Sequence, residues 1–105
     1  MVAPTPSMKT LTSRQAARQL GRVPLWSRRA STIRRRYEFP GFPAAVRFVD
    51  RVARLAEAAN HHPDIDIRWN KVTLALTTHD SGGLTGKDFS LARQCDRAFT
   101  RLAGR

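Results

Sequence analysis

The strongest hydrophobic pattern in the chain predicts an amphipathic helix over residues 43–59. Apolar residues recur there every three or four positions, a spacing typical of a helix with one buried face. The predicted stripe consists of Val46, Val49, Val52, Ala53 and Ala56, flanked by Phe48 and Leu55. Pro63 lacks a backbone N–H and cannot extend the helix, so we expect the helix to end close to Asn60 and His61.

Alternation of apolar and polar residues predicts a β-hairpin on each side of this helix. In the first hairpin an extended segment begins at Pro24-Leu25-Trp26. The two faces of its second strand are formed by Ile33, Tyr37 and Phe39 on the apolar side and by Arg34, Arg36 and Glu38 on the polar side. The arginine run is therefore predicted to be a charged strand face.

The second hairpin is predicted from two further alternating runs. Its apolar positions are Ile65, Ile67 and Trp69 in one strand and Val72, Leu74 and Leu76 in the next. Asn70-Lys71 between them is suited to a tight turn. This pattern predicts that Trp69 belongs to the core of a strand.

Capping signals predict a helix near each end of the chain. Thr12-Ser13-Arg14-Gln15 matches a capping box and opens a short helix that stops near Gly21. Thr85 followed by Asp88 is a second such signature and opens a final helix. Its apolar positions include Phe89, Ala92, Cys95, Phe99 and Leu102.

The order helix, hairpin, helix, hairpin, helix predicts an α+β two-layer sandwich. No crossover is long enough for parallel strands, so the four strands are expected to form an antiparallel sheet with three helices on its apolar face. The order of the strands does not follow from the pattern. We expect residues 1–10 to form a flexible tail and residues 11–105 a single domain, since 105 residues bury only one modest core.

Charge and cysteine content restrict the partners and the compartment. The net charge is +11, and residues 1–60 hold 12 Lys or Arg against 3 acids, whereas residues 61–105 hold 7 against 5. A solvated basic surface explains this excess of positive charge, and a nucleic acid or acidic protein partner is the alternative.

Cys95 is the single cysteine, which excludes an intramolecular disulfide and fits a reducing, cytoplasmic location. No segment approaches the roughly 20 apolar residues of a membrane span.

All three histidines, His61, His62 and His79, fall within 19 residues. Each alone is explained as a helix end or strand end, but together, near predicted loops, they indicate a possible site. Zinc binding is the weaker interpretation, because adjacent ligands seldom face one point and no second cysteine exists. Acid/base chemistry fits better, since an ordinary imidazole titrates near neutrality. Cys95 lies on an apolar helix stripe and is interpreted as packing.

The run Glu57-Ala58-Ala59-Asn60-His61-His62-Pro63, followed by Trp69, His79 and Asp88, resembles the signature of the pterin-4a-carbinolamine dehydratases. The resemblance covers roughly residues 11–102. It implies a four-stranded antiparallel sheet with three helices on one face, assembly as homodimers or homotetramers, and no metal or organic cofactor. The implied reaction removes water from 4a-hydroxytetrahydropterin and leaves quinonoid dihydropterin.

The same resemblance implies roles for individual residues. His61 and His79 are the expected general acids, His62 the main substrate-binding residue, and Glu57 a further candidate for substrate binding. Trp69 and Asp88 also belong to the signature, but we favour structural roles for them, Asp88 as the capping partner of Thr85. Other members of this fold act as a dimerisation cofactor of a transcription factor or in enzyme assembly, which is the alternative to catalysis.

Overall fold

A computed structural model describes residues 9–103, so residues 1–8, which hold most of the expected tail, and residues 104–105 lie outside the described part. The helices are α1 (Ser13–Leu20), α2 (Phe42–Ala59) and α3 (Gly86–Ala103). The strands are β1 (Ser27–Arg29), β2 (Thr32–Glu38), β3 (Asp64–Arg68) and β4 (Lys71–Leu76). A short 3-10 turn, His79–Ser81, lies between β4 and α3.

The four strands form one antiparallel sheet in the order β1-β2-β4-β3. The long central pair is β2 and β4, in which Ile33 lies opposite Leu76 and Tyr37 opposite Val72. These side chains are buried under the helices, whereas Arg34 and Arg36 on the other face of β2 are exposed. The predicted α+β sandwich with helices on one face is confirmed, and the structure supplies the strand order.

The first hairpin has the predicted faces but starts later than expected. Residues 21–25 form turns, and β1 begins only at Ser27. Arg35 points to the helix side of β2, where its guanidinium lies 2.6 Å from Asp96 Oδ1. The Tyr37 hydroxyl and Trp26 Nε1 donate to the same oxygen, at 2.6 and 3.0 Å. One carboxylate on α3 thereby ties the first hairpin to the helical layer.

Burial raises the pKa values of two groups next to the Asp96 carboxylate. Desolvation, reinforced by the hydrogen bond to Asp96, raises the pKa of the Tyr37 hydroxyl far above its ordinary value. Desolvation also raises the pKa of the Cys95 thiol to about 12, with a further contribution from the charge of Asp96. Cys95 is free and buried, which agrees with the packing role predicted for it.

Helix α2 has the predicted bounds to within one residue, but its buried face is rotated from the predicted stripe. The buried residues are Ala45, Phe48, Val52 and Ala56. Val46 is 38% exposed and Ala53 is exposed, while Phe48 is at the centre of the aromatic core with Tyr37. Val52 and Ala56 are buried as predicted, whereas the prediction is wrong for Val46 and Ala53, because the neighbouring apolar row that carries Phe48 faces the sheet.

The turn of the second hairpin lies one residue earlier than predicted. Arg68 pairs with Lys71, so Trp69 and Asn70 form the two-residue loop. The Asn70 side chain is buried and donates to the Phe39 carbonyl at 2.8 Å, which fixes Asn70 inside the turn. Trp69 has a positive φ of 51° and is 66% exposed, so the prediction of a core tryptophan is wrong.

Both predicted capping signatures are present. Thr12 and Gln15 form a complete capping box on α1, whose C-cap is Gly21. At α3 the Asp88 carboxylate accepts from Thr85 N at 3.0 Å, while Thr85 Oγ1 accepts from Lys87 N. Within residues 9–103 no helix is both long enough and apolar enough to cross a membrane.

Candidate active site

The end of α2 releases two histidines from the helix surface. Asn60 takes a left-handed conformation with φ 49° and ends the helix, and the His61 backbone N–H donates back to the Ala56 carbonyl. Pro63 follows and leads into β3. As predicted, the helix stops where the histidine pair begins, so the two imidazoles point in different directions.

The third histidine is brought beside the pair by the sheet. Antiparallel pairing of β3 with β4 returns the chain to the level of Pro63, and His79 follows in the 3-10 turn after β4. That turn ends at Gly82, whose φ of 72° favours glycine. His79 is exposed at the rim.

The three histidines line one open cleft of about 260 Å³. The residues around it are Asn60, His61, His62, Thr77, Thr78, His79, Asp80 and Lys87. Drug-sized ligands usually occupy pockets of about 300–1,000 Å³. At about 260 Å³ the cleft lies just below this range, and it is open to solvent.

His61 is buried and is held by Asp88. Its Nε2 lies 2.6 Å from Asp88 Oδ1, and the Asp88 side chain is fully buried. The other carboxylate oxygen, Oδ2, accepts from Thr78 Oγ1 at 2.8 Å and from Thr85 N at 3.0 Å. Asp88 is thus both the predicted cap of α3 and the partner of His61. Spacing along the chain gives no signal of this second contact.

His62 and Glu57 form a second imidazole–carboxylate pair, on the surface. His62 Nε2 lies 2.5 Å from Glu57 Oε2, and both side chains are largely exposed. Glu57 occupies the last turn of α2, and the αL residue Asn60 turns the chain so that His62 reaches back to it. All four predicted site residues therefore lie at the same end of the molecule.

Two charged residues that the sequence did not single out also line the cleft. Asp80 follows His79 in the turn, and Lys87 lies in the first turn of α3, where it is exposed. They add one negative and one positive side chain to the rim. Among the described residues no group of three His, Cys, Asp or Glu side chains is arranged to hold a metal ion.

Fold and site together define a small α+β protein in which three imidazoles, two of them paired with carboxylates, share one cleft. The family model of pterin 4 alpha carbinolamine dehydratase matches residues 9–98. The chain belongs to the pterin-4-alpha-carbinolamine dehydratase family.

Individual relatives agree with this assignment. A protein of Roseiflexus castenholzii, provisionally named a pterin-4-alpha-carbinolamine dehydratase, is 62% identical over 74% of this chain and 84% of its own length. A relative from Nocardia farcinica with the same provisional name is 54% identical over 82% of this chain and 90% of its own.

Two solved structures share the fold. A transcriptional coactivator/pterin dehydratase from Brucella melitensis has a TM-score of 0.83 and 28% identity, over 86% of this chain and 98% of its own. A pterin dehydratase-like protein identified as a RuBisCO assembly factor has a TM-score of 0.59 at 20% identity, over 70% of this chain and 86% of its own. The second likeness concerns the fold alone.

Proposed function

We propose that this protein dehydrates a 4a-hydroxytetrahydropterin to the quinonoid dihydropterin and water by histidine acid/base catalysis. The observation that carries the proposal is the convergence of His61, His62 and His79 on one cleft. Membership of the dehydratase family and the names of its relatives support the substrate class.

The proposed reaction needs two proton transfers. The bond between C4a and the hydroxyl oxygen breaks, the oxygen takes a proton and leaves as water, and a ring nitrogen gives up a proton. Imidazoles can donate and accept near neutral pH, and such catalysis contributes about 10²–10⁴-fold. We assign the general acid role to His61 and His79.

Asp88 supports this assignment for His61. An ionised carboxylate only accepts hydrogen bonds, so its contact with Nε2 holds one ring proton there and leaves Nδ1 for the substrate side. As a general acid His61 donates from a protonated Nδ1, so the reacting form of the ring carries a proton on both nitrogens. Asp88 is itself fixed by Thr78 and Thr85. We therefore propose that Asp88 positions His61 and does not touch the substrate.

His62 and Glu57 are proposed to bind the substrate. Their side chains are exposed at the cleft end of α2, where they offer a donor and an acceptor side by side. A pterin carries an amide and an amino group that require such partners. We propose no metal and no organic cofactor for this chemistry, and a reducing, cytoplasmic setting in line with the free Cys95.

We also propose that the chain assembles as a homodimer or homotetramer. The edge strand β3 exposes Ile65 and Ile67, and α2 exposes Phe42 and Val46 on its outer side. Exposed apolar residues grouped on two surfaces are a usual sign of protein contacts.

The second candidate function is binding of a nucleic acid or an acidic protein to the basic surface. The open face of the sheet holds a shallow cleft of about 440 Å³ in which Arg34 and Arg36 stand across β4 from Asp64 and Asp66. The charges are mixed, which favours an ordinary solvated face over a nucleic acid site. A salt-sensitive gel shift with unrelated duplexes tests the alternative, and no binding at low salt removes it.

The decisive experiment is a dehydratase assay on purified protein. We expect a rate well above the buffer reaction and a loss of about 10²-fold or more in His61→Ala or His79→Ala. Thr73→Val, on the opposite face of the sheet, is the matched control and keeps the wild-type rate. A wild-type rate equal to that of buffer would reject the proposed function.

A further inference from the structure

His79 differs from the other two histidines of the cleft because no carboxylate holds its ring. The imidazoles of His61 and His62 are each paired with a carboxylate. Among the residues that the structure describes, none forms a hydrogen bond or an ion pair with the His79 imidazole, which is exposed. The direction of this ring therefore depends on the backbone turn that carries it.

The turn around His79 is closed by a few backbone hydrogen bonds of its own. The N–H groups of Ser81 and Gly83 both donate to the Thr78 carbonyl, at 3.1 and 3.3 Å. Gly82 N–H donates to the His79 carbonyl at 3.0 Å. Segments that have few buried contacts and exposed hydrogen bonds open at a low cost in free energy. Contacts from elsewhere in the chain are needed to fix the position of this turn.

Thr10 and Leu11, which we call the N-terminal strap, supply such contacts. Thr10 Oγ1 donates to the Ser81 carbonyl at 2.7 Å, and Leu11 N–H donates to the Leu84 carbonyl at 2.8 Å. Gly83 lies between these two carbonyls and is buried. A Cβ atom added to Gly83 would lie 2.8 Å from Thr10 Cγ2 and, chain neighbours aside, within 4 Å of no other described residue. The strap therefore packs directly on the end of the turn.

The strap is itself held in place by α1, which follows it directly. Thr12 begins that helix with a complete capping box, in which Thr12 and Gln15 each accept from the backbone N–H of the other. Ala16 is buried in the core, and Leu11 is partly buried against it. The strap thus connects the turn of His79 to the core through a segment that does not line the cleft.

We propose that the N-terminal strap positions His79 for proton transfer, and that Thr10 is a positioning residue that does not touch the substrate. Its hydroxyl holds the Ser81 carbonyl from outside and keeps the imidazole of His79 at the cleft. A displacement of about 1 Å at a reacting group costs up to about 10²-fold in rate, so a small movement of the turn matters. The effect on catalysis rests on the proposed dehydratase function, whereas the contact between strap and turn is independent of it.

Substitution of Thr10 tests the role of its hydroxyl. Thr10→Val removes the hydroxyl and keeps the size of the side chain, and we expect kcat to fall about 3–10-fold, the factor that one hydrogen bond contributes to an equilibrium. KM is expected to stay within about twofold, because the proposed binding residues His62 and Glu57 do not contact the strap. Thr10→Ser keeps the hydroxyl and is expected to retain kcat within about twofold.

Thr100→Val is the matched control. It removes another exposed threonine hydroxyl that donates to a backbone carbonyl, that of Asp96, at 3.0 Å on α3. We expect this variant to keep the wild-type kcat. A wild-type kcat in Thr10→Val as well would show that the strap does not position His79.

A second background shows whether the effect of Thr10 passes through His79. In a His79→Ala protein, Thr10→Val is expected to change kcat by less than about 1.5-fold, because the group that Thr10 positions is already absent. If Thr10→Val lowers kcat by the same factor with and without His79, Thr10 acts on the fold in general and the proposal is overturned.

A steric test displaces the strap without removing the hydroxyl. The backbone of Gly83 lies outside the left-handed region, so alanine is compatible with it, but the new Cβ pushes on Thr10 Cγ2. We expect Gly83→Ala to lower kcat about 3–10-fold. Thr10→Ser lacks this methyl group, so the double variant is expected to recover kcat to within about twofold of wild type. A double variant as slow as Gly83→Ala contradicts the proposed packing.

Hydrogen exchange separates this proposal from the proposed function. The Leu11 amide is expected to exchange at least about tenfold more slowly than an unprotected amide, and to lose this protection in Gly83→Ala. An unprotected Leu11 amide in the wild-type protein overturns the strap. A wild-type protein without dehydratase activity rejects the proposed function instead, and amide exchange then decides alone whether the strap holds the turn.

Discussion

Replacing Asp88 by Asn tests whether the carboxylate supports His61, because the substitution removes the charge of the side chain and hardly changes its shape. Asn has nearly the same volume, but one carboxylate oxygen becomes an NH₂ group that only donates. Oδ2 of Asp88 accepts from Thr78 Oγ1 and Thr85 N, so the amide oxygen takes that position and the NH₂ faces His61. His61 Nε2 must then accept a hydrogen bond, so the ring can no longer carry a proton on both nitrogens.

This reversal predicts a large loss of activity with a small loss of stability. If His61 donates from the form protonated on both nitrogens, the neutral ring of the variant is a much weaker acid and a contribution of about 10²–10⁴-fold is lost, so we expect kcat to fall by at least about 10²-fold. The charge-assisted hydrogen bonds become neutral ones, which costs about 1–2 kcal/mol of the free energy of unfolding. For a domain of this size Tm then falls by roughly 5–15 °C.

Initial rates of dehydration and thermal unfolding followed by circular dichroism give the two quantities. Thr85→Val is the matched control, because it removes the hydroxyl contacts to Thr78 and Lys87 N but leaves the pair of His61 and Asp88 intact. We expect it to be destabilised by a similar amount and to keep its activity within about threefold. Near wild-type kcat in Asp88→Asn, or equal inactivity of Thr85→Val, refutes the reasoning.

Four further predictions follow from particular groups. Asp96→Ala leaves Trp26, Arg35 and Tyr37 without their shared acceptor, and we expect the free energy of unfolding to fall by about 2–4 kcal/mol in a denaturant titration. The control is Asp50→Ala, a change at an exposed site. If both variants are equally stable, the hydrogen bonds to Asp96 do not stabilise the fold. Tyr37 is the single tyrosine, and its raised pKa means that the unfolded chain ionises near pH 10 while the folded protein stays protonated. The Tyr37 hydroxyl therefore leaves the free energy of unfolding unchanged below pH 10 and lowers it above pH 10. We expect tyrosinate absorbance to appear only as the protein unfolds. Reversible ionisation of the folded protein near pH 10 would contradict this expectation. Cys95, with a pKa of about 12, is expected to react with a thiol reagent only after denaturation, so rapid native labelling contradicts its burial. Chelators are expected to leave activity unchanged, and strong inhibition reversed by zinc would restore the metal-site interpretation.

Local signals in the sequence determined most of the secondary structure. Thr12 with Gln15 and Thr85 with Asp88 marked the starts of α1 and α3, and Pro63 limited α2. These signals act within four residues, because a cap or a missing N–H affects only its own helix turn. Fold class followed from the order of the elements, since short connections permit only antiparallel neighbours.

Orientation and exact turns were decided by packing. The sequence offered two adjacent apolar rows on α2, and the row with Phe48 was buried because its ring packs on Tyr37 and Phe39. Alternation alone could not show that Trp69 leaves the strand. The buried bond of Asn70 to the Phe39 carbonyl, 31 residues away, sets that turn.

For the site, the sequence determined the candidates and the tertiary structure determined their partners. Pro63 and the end of α2 were enough to expect His61 and His62 off the helix, and the resemblance added their expected roles. The contact of His61 with Asp88 spans 27 residues. The resemblance placed Asp88 in the family signature, but the role predicted for it was that of a helix cap. Chain spacing cannot report such a contact, because it exists only once α2, β4 and α3 pack their ends together around a buried carboxylate.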